Sequence, residues 1–308
     1  MAAIVGPTGS GKTELSLALA ARLPIEILVA DSRQVYRGMD IGTAKPDAAA
    51  RASVPHHLLD LVTPAEPFSV AAWADAARRL LPGIRARHRL PVVVGGGGLY
   101  LTALLDGYAF GGAPHPEQRA RLNEELSVAG VGVLAARLGA IDPAAAARTD
   151  LRNPRRVARA LERATDPAGA AKAVAKPWTG PMRLIGVSRP TAVLNRRIDE
   201  RAEWLFANGL LDEVRALLDA GHDPGKAPLT SHGYGEAARY LAGEWSLDAA
   251  VSVTARRTRQ YAKRQRTWFR RDRRIAWLDA GDGPGDAPNL VTEAASVLEG
   301  LLAEVRPS

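Results

Sequence analysis

Short apolar runs alternate with helix-period patterns through the first hundred residues of the chain. Residues 2–5, 25–30 and 91–94 are almost wholly aliphatic and are bounded by glycine, proline or aspartate, which predicts three buried strands. Residues 12–23, 70–87 and 99–105 instead repeat their apolar positions three and four apart, which predicts helices. Pro82 falls inside the second of these and predicts a kink or a stop there. Strands that alternate with helices in this way predict a parallel sheet wrapped by helices.

From 115 to about 165 the pattern is purely helical. Asp142-Pro143 and Asn153-Pro154 each place an N-cap residue before a proline at the first helical position. Residues 166–181, rich in Ala, Gly and Pro and without a period, read as a connector. Arg183–Ser188 then predicts a returning strand, 275–278 a further one, and helices occupy the rest, with no internal repeat. The expected fold class is therefore α/β, a parallel sheet wrapped by helices with an inserted all-helical domain. The core would span 1–114 and 181–308, and the insertion 115–180.

Composition narrows the function. At 308 residues the chain can bury a full core. With no cysteine it has no disulfide framework, thiolate metal site or cysteine nucleophile, and no apolar stretch nears the ~18 residues that span a bilayer. The expectation is a soluble cytoplasmic protein without a membrane partner.

The net charge of +8 is concentrated: residues 256–274 hold ten Lys or Arg against one Asp, leaving the rest of the chain nearly neutral. A helix through this window would align Arg256, Arg259, Lys263, Arg266 and Arg270 on one face. Such a one-signed rod points to nucleic acid, because a solvated helix face ordinarily mixes signs. Tyr261, Trp268 and Phe269 interleave with it and suit either base stacking or the core, the core being the commoner use. A second basic stripe, Arg152, Arg156, Arg159 and Arg163, lies opposite Val157 and Leu161.

Candidate chemistry begins at the end of the first strand, where Gly6, Gly11, Lys12 and Thr13 fit G-x-x-x-x-G-K-[ST], which makes the expected parallel sheet P-loop NTPase-like. Glycines there let backbone N–H groups curl round a phosphate, Lys12 adds a point charge, and the Thr13 hydroxyl can ligate Mg²⁺. This recognises a di- or triphosphate without naming the rest of the ligand. Asp31 follows the second strand and should face those phosphates, as an outer Mg²⁺ ligand, a general base or a loop cap. Gly95 to Gly98 after the third strand would allow the backbone to approach a ligand closely. His56 and His57 have no third ligand nearby in sequence and read as structural.

The runs "GPTGSGKT", "DSRQVYRGMDIGTAKP", "PHHLLD", "GGGGLY", "NPRRVARALE", "GYGE" and "RQYAKRQRTWFR" appear in this order from Gly6 onward. Together they resemble the tRNA dimethylallyltransferases, with the likeness running collinearly to about Trp277. A generic P-loop kinase would share only the first. The resemblance implies transfer of a dimethylallyl group from dimethylallyl diphosphate to the adenosine on the 3′ side of the anticodon. Its partners would be the tRNA anticodon stem-loop and that diphosphate, its cofactor Mg²⁺ at Thr13, and its state a monomer.

By the same resemblance, Gly6, Pro7, Thr8, Gly9, Ser10, Gly11, Lys12, Thr13 and Gly97 would hold the diphosphate, and Gly97 would also contact the tRNA. Asp31 would take the proton of the adenine amino group, and Ser32, Arg33 and Gln34 would line the pocket for the base. Arg119, with Arg156, Val157, Ala158, Arg159 and Ala160, would contact the anticodon arm. So would the turn Thr230, Ser231, His232, Gly233, Tyr234 and Gly235. The final helix would add Lys263, Arg264, Gln265, Arg266, Thr267, Trp268, Phe269 and Arg270. An adenine stacked in an anticodon loop must flip out to reach such a pocket. The chain departs from the family at Gly97, usually Thr or Ser, and at Gly235, usually Lys or Arg; the segment after Glu162 also drifts. Two other readings share some features: a small-metabolite P-loop kinase, which leaves the basic helix idle, and a non-catalytic RNA-binding ATPase.

Overall fold

The computed structural model describes residues 1–107, 116–166, 177–282 and 287–305. Two compact units form, one from Met1–Leu104 with Trp178–Ser308 and the other from Leu105–Pro177.

The larger unit is built on six parallel strands. They are β1 (Ala2–Val5), β2 (Ile25–Val29), β3 (His56–His57), β4 (Leu90–Gly95), β5 (Arg183–Ser188) and β6 (Ile275–Asp279), in the order β3-β2-β4-β1-β5-β6. Every residue of β1 and β2 is buried, as a sheet covered on both faces requires. The two-residue β3 is too short to carry a pattern and was not foreseen; it pairs His56 with Ile27 and His57 with Leu28. The two histidines serve the sheet edge: His57 Nε2 lies 2.7 Å from the buried Glu26 carboxylate, and His56 Nδ1 lies 2.9 Å from the Val54 carbonyl.

Helices α1 (Lys12–Ala20), α2 (Ala48–Ser53), α3 (Val70–Ala86) and α4 (Gly98–Leu105) occupy the first half of this unit. Pro82 does not stop α3, which continues to Ala86. Trp73, Ala74, Ala77, Leu81 and Ile84 form one buried face that runs past the proline, and burying that face outweighs the ~3 kcal/mol an interior proline costs. The smaller unit contains α5 (Pro116–Ile141, broken at Gly130), α6 (Pro143–Arg148) and α7 (Pro154–Thr165). Asp142 and Asn153 cap the last two as their sequence implied, accepting the N–H groups of Ala145 and Arg156. Leu122, Leu134, Leu138, Val157, Ala160 and Leu161 make its core. Of the sequence-predicted connector, residues 167–176 lie outside the described residues.

The second half of the larger unit adds α8 (Thr191–Ala207), α9 (Leu210–Asp219), α10 (Tyr234–Leu241), α11 (Leu247–Phe269) and α12 (Ala287–Val305). Helices α1 and α12 cover one face of the sheet, where Leu15, Leu19, Leu298 and Leu301 meet Ile4, Ile27, Val92 and Ile185. On α3 the buried Trp73 donates its indole N–H to the Val29 carbonyl. Among the described residues no helix is long and apolar enough to cross a membrane.

Candidate active site

The turn between β1 and α1 has its shape set by three glycines with positive φ: Gly6 at 149°, Gly9 at 80° and Gly11 at 102°. A side chain at Gly6 would also strike the Val187 carbonyl, 2.6 Å from its Cβ position. Groups from elsewhere tie down the outer side of the turn. Lys12 Nζ donates to the Pro7 carbonyl at 2.7 Å, Arg197 Nε to Gly9 at 3.0 Å and Arg189 Nε to Ser10 at 3.0 Å. Burial pushes the Lys12 ammonium down to about 8, with Asp31 pulling the other way. Such a lysine is still mostly charged at neutral pH and only weakly hydrated, which suits contact with an anion.

Asp31 sits just beyond β2, where its carboxylate caps the loop that follows. Its Oδ1 accepts the N–H groups of Arg33 (2.7 Å) and Gln34 (3.3 Å), an Asx turn that fixes the carboxylate. Its Oδ2 has no hydrogen bond among the described residues, and Asp31 lines a cavity of about 470 Å³ together with Lys12, Thr13, Gln34 and Tyr261. Gln34 is in turn held by the Thr43 and Ala44 carbonyls. Ile27, Val29 and Val94 form an apolar part of the same cavity.

Gly95 and Gly96 line the same cavity, and the four glycines Gly95 to Gly98 also make room for close packing within the protein. Added Cβ atoms would lie 2.2 Å from the Ala30 carbonyl at Gly95 and 2.0 Å from Gln265 Nε2 at Gly96. At Gly97 the distance is 2.9 Å to the same Ala30 carbonyl, and at Gly98 2.2 Å to the Trp268 ring. These glycines admit the backbone beside Asp31 and two side chains of α11. Gly97 donates its N–H to Ala30 at 3.2 Å, so that N–H already has a partner within the protein. At Gly235, by contrast, a Cβ would meet only ordinary contacts at 3.6 Å and beyond, so no clash at that atom requires glycine.

The basic window is helical only as far as Phe269, with Arg270 as its C-cap and Arg271 beyond. Its aromatics divide: Phe269 is core, Tyr261 lines the cavity, and Trp268 lies half exposed over Gly98. The predicted stripe is not wholly free. Arg259 pairs with Asp199 of α8 and Arg266 donates to Thr191 Oγ1, while Lys263, Arg264, Thr267 and Arg270 are exposed. Gln265 is buried, and both ends of its amide are engaged within the protein.

In the turn before α10, Tyr234 is buried and donates its hydroxyl to Glu213, while Thr230, Ser231, His232 and Gly235 are partly exposed. In the smaller unit Val157 and Ala160 face the helical core and Ala158 is buried, whereas Arg156 faces out. Arg119 and Arg159 share the buried Glu162.

Sequence reasoning missed Arg189, Arg197 and Arg201. Arg201 lines the cavity with Lys12, and its burial lowers the guanidinium's pKa while Asp31 opposes the shift. Arg189 stands at the carboxyl end of β5, so the strand-end rule that found Asp31 would have found it too. Arg197 and Arg201 lie four apart on α8, a spacing that could have flagged them only with that helix already placed beside the loop.

The sequence profile of the IPP transferase family matches residues 34–272. A tRNA dimethylallyltransferase from Salinispora tropica is 46% identical over 299 residues, covering 96% of this chain and 91% of that one. Another from Roseiflexus sp. is 44% identical, covering 96% of both. The crystal structure of the full-length tRNA isopentenylpyrophosphate transferase from Bacillus halodurans superposes with a TM-score of 0.72 at 39% identity, over 98% of this chain and 96% of that chain. A eukaryotic dimethylallyltransferase seen acting on tRNA shares the fold at a TM-score of 0.81 and 24% identity. A family match over most of the chain, relatives aligned from end to end and the same sheet in solved structures agree: the chain belongs to the IPP transferase family.

Proposed function

We infer that the chain is a tRNA dimethylallyltransferase, which prenylates the adenosine next to the anticodon. One observation carries the reading beyond the family match. The phosphate loop with Lys12 and Arg201, the carboxylate of Asp31, and an apolar patch all open into a single cavity. A kinase of small metabolites has no need of the basic α11.

In the reaction, the N6 nitrogen of adenine forms a bond to C1 of the dimethylallyl group as the C1–O bond to diphosphate breaks. The electron pair of that bond leaves with the diphosphate, and the N6 proton passes to Asp31. Adenine N6 is a poor nucleophile because its lone pair is delocalised into the ring, so a positioned base is needed. The Asx turn orients Asp31, and its Oδ2 is the oxygen left to accept the proton. Lys12, Arg201 and the loop N–H groups face charge that grows on the leaving group, where fixed donors count most.

The donor set fits Mg²⁺: the Thr13 hydroxyl in the cavity is the oxygen ligand that would hold it, beside the phosphate oxygens of the substrate. Bound there, the ion would neutralise diphosphate charge as a Lewis acid. On RNA, the exposed Lys263, Arg264 and Arg270 of α11, the turn at 230–235, and Arg156 of the helical unit are the groups available for phosphate contacts. The monomeric state and a cytoplasmic location follow from the same reading.

The test is direct. Incubation with an anticodon stem-loop, labelled dimethylallyl diphosphate and Mg²⁺ should move label to RNA, and an adenosine-to-guanosine change at the target should abolish it. Hydrolysis of ATP without transfer of label would sink the assignment.

A further inference from the structure

The phosphate loop and the basic helix are joined by one side chain. Gln265 projects from the inner side of α11 and is 6% exposed. Its Oε1 accepts the Thr8 N–H at 2.8 Å, and its Nε2 donates to the Gly96 carbonyl at 2.9 Å. One amide thus bridges the loops that follow β1 and β4. Gly96 is shaped for it, since a Cβ there would fall 2.0 Å from Nε2. In sequence Gln265 sits between Arg264 and Arg266, within the charge expected to meet RNA.

We propose that Gln265 is a positioning residue for the diphosphate, setting the phosphate loop from the helix that holds RNA. Four successive loop residues are each anchored by a side chain: Pro7 by Lys12, Thr8 by Gln265, Gly9 by Arg197 and Ser10 by Arg189. Three of these anchors hold carbonyls and so turn the loop's acceptors outward. Gln265 alone takes an N–H, withdrawing Thr8 from the set that can face phosphate and fixing where the remaining N–H groups point. A residue that served only as packing would not need both ends of its amide paired across two loops. Because Gln265 rides on α11, any displacement of that helix by RNA is felt at Thr8.

The proposal rests on the transferase reading for the identity of the anion, and the test separates the two. Inorganic diphosphate with Mg²⁺ is titrated calorimetrically into the full chain and into Gln265→Met, which keeps the volume and removes the amide. Binding to the variant should weaken about tenfold, the effect of leaving two buried partners unpaired. The KM for dimethylallyl diphosphate should rise by a similar factor, kcat should fall less, and stem-loop affinity should stay within about twofold. If the Met variant does not fold, Gly96→Ala displaces the same amide by its methyl group and should show the same pattern. Unchanged diphosphate affinity in a folded variant overturns the proposal, as does a loss confined to stem-loop binding, which would make Gln265 an RNA contact. Wild-type protein that binds no diphosphate would overturn the transferase reading and this assignment together.

Discussion

The chain has two glycine-rich turns at neighbouring strand ends, and they use glycine for opposite reasons. After β1, Gly6, Gly9 and Gly11 adopt positive φ, a backbone that L side chains resist. Space is not short at Gly11, where a Cβ would have its nearest neighbour at 3.5 Å. After β4 none of Gly95 to Gly98 has positive φ, but every Cβ position is already taken by Ala30, Gln265 or Trp268. The first turn is glycine-rich so that its backbone can take left-handed conformations, as the proposed diphosphate site requires. The second is glycine-rich so that protein can come close, and what comes close is the residue before Asp31 and the basic helix. Chemistry belongs to the first turn and the placement of its partners to the second.

The sharpest test of that division concerns Asp31, which the second turn supports and the first turn faces. Asp31→Ala should lower the single-turnover rate by about 10²- to 10⁴-fold, the worth of a positioned base, while stem-loop affinity stays within a few-fold. A variant that keeps its rate and loses RNA would make Asp31 a docking residue.

Lys12→Ala should cost about 10²-fold or more in the chemical step, through lost stabilisation of the leaving group. The pH dependence has a definite sign. Lys12 is held down at about 8, so diphosphate affinity is full below that pH and falls as pH rises through it. The decline should vanish in Lys12→Met; if it persists there, another group titrates.

A smaller effect contrasts the two turns directly. Gly11→Ala meets open space but strained backbone, and Gly98→Ala meets relaxed backbone but the Trp268 ring at 2.2 Å. Each should lose about 1–3 kcal/mol of stability by denaturant unfolding. Only the second should recover when Trp268 is cut to Ala. Rescue of both, or of neither, would break the distinction.

The smallest effect is at Gly97. The sequence alone suggests that Gly97→Thr raises the rate by restoring a hydroxyl. In the structure, however, a Cβ there lies 2.9 Å from the Ala30 carbonyl, one bond from Asp31. Gly97→Ala should therefore slow transfer a few-fold, and Gly97→Thr should be faster than Gly97→Ala by about tenfold, the share owed to the hydroxyl alone. Equal rates in the two variants would show that the hydroxyl contributes nothing.

Much of the fold was readable because its signals are local. The strands at Ala2–Val5 and Arg183–Ser188 are apolar runs, and the caps at Asp142 and Asn153 precede prolines. What failed to show was short or cooperative: β3 is two residues long, and Pro82 is tolerated only because Leu81 and Ile84 hold α3 to its neighbours. Within the site, Lys12, Thr13 and Asp31 announced themselves by motif and by strand end. Arg197 and Arg201 did not, since an arginine on a helix looks the same in sequence whether it meets water or a phosphate loop.

The sequence by itself carried the reaction class through the resemblance of its collinear runs to the tRNA dimethylallyltransferases; the phosphate loop, the aspartate after the next strand and the basic helix, each spelled by contiguous residues, gave on their own a phosphate site and a face for a polyanion. Which way each residue faces was decided by tertiary structure alone. In one basic helix, Lys263 reaches water, Gln265 is buried 2.8 Å from the phosphate loop and Trp268 lies across a glycine. Their roles differ because a helix turns about 100° per residue, so neighbours in sequence face different surroundings, and only packing against α8, α10 and the two loops fixes which face is inward.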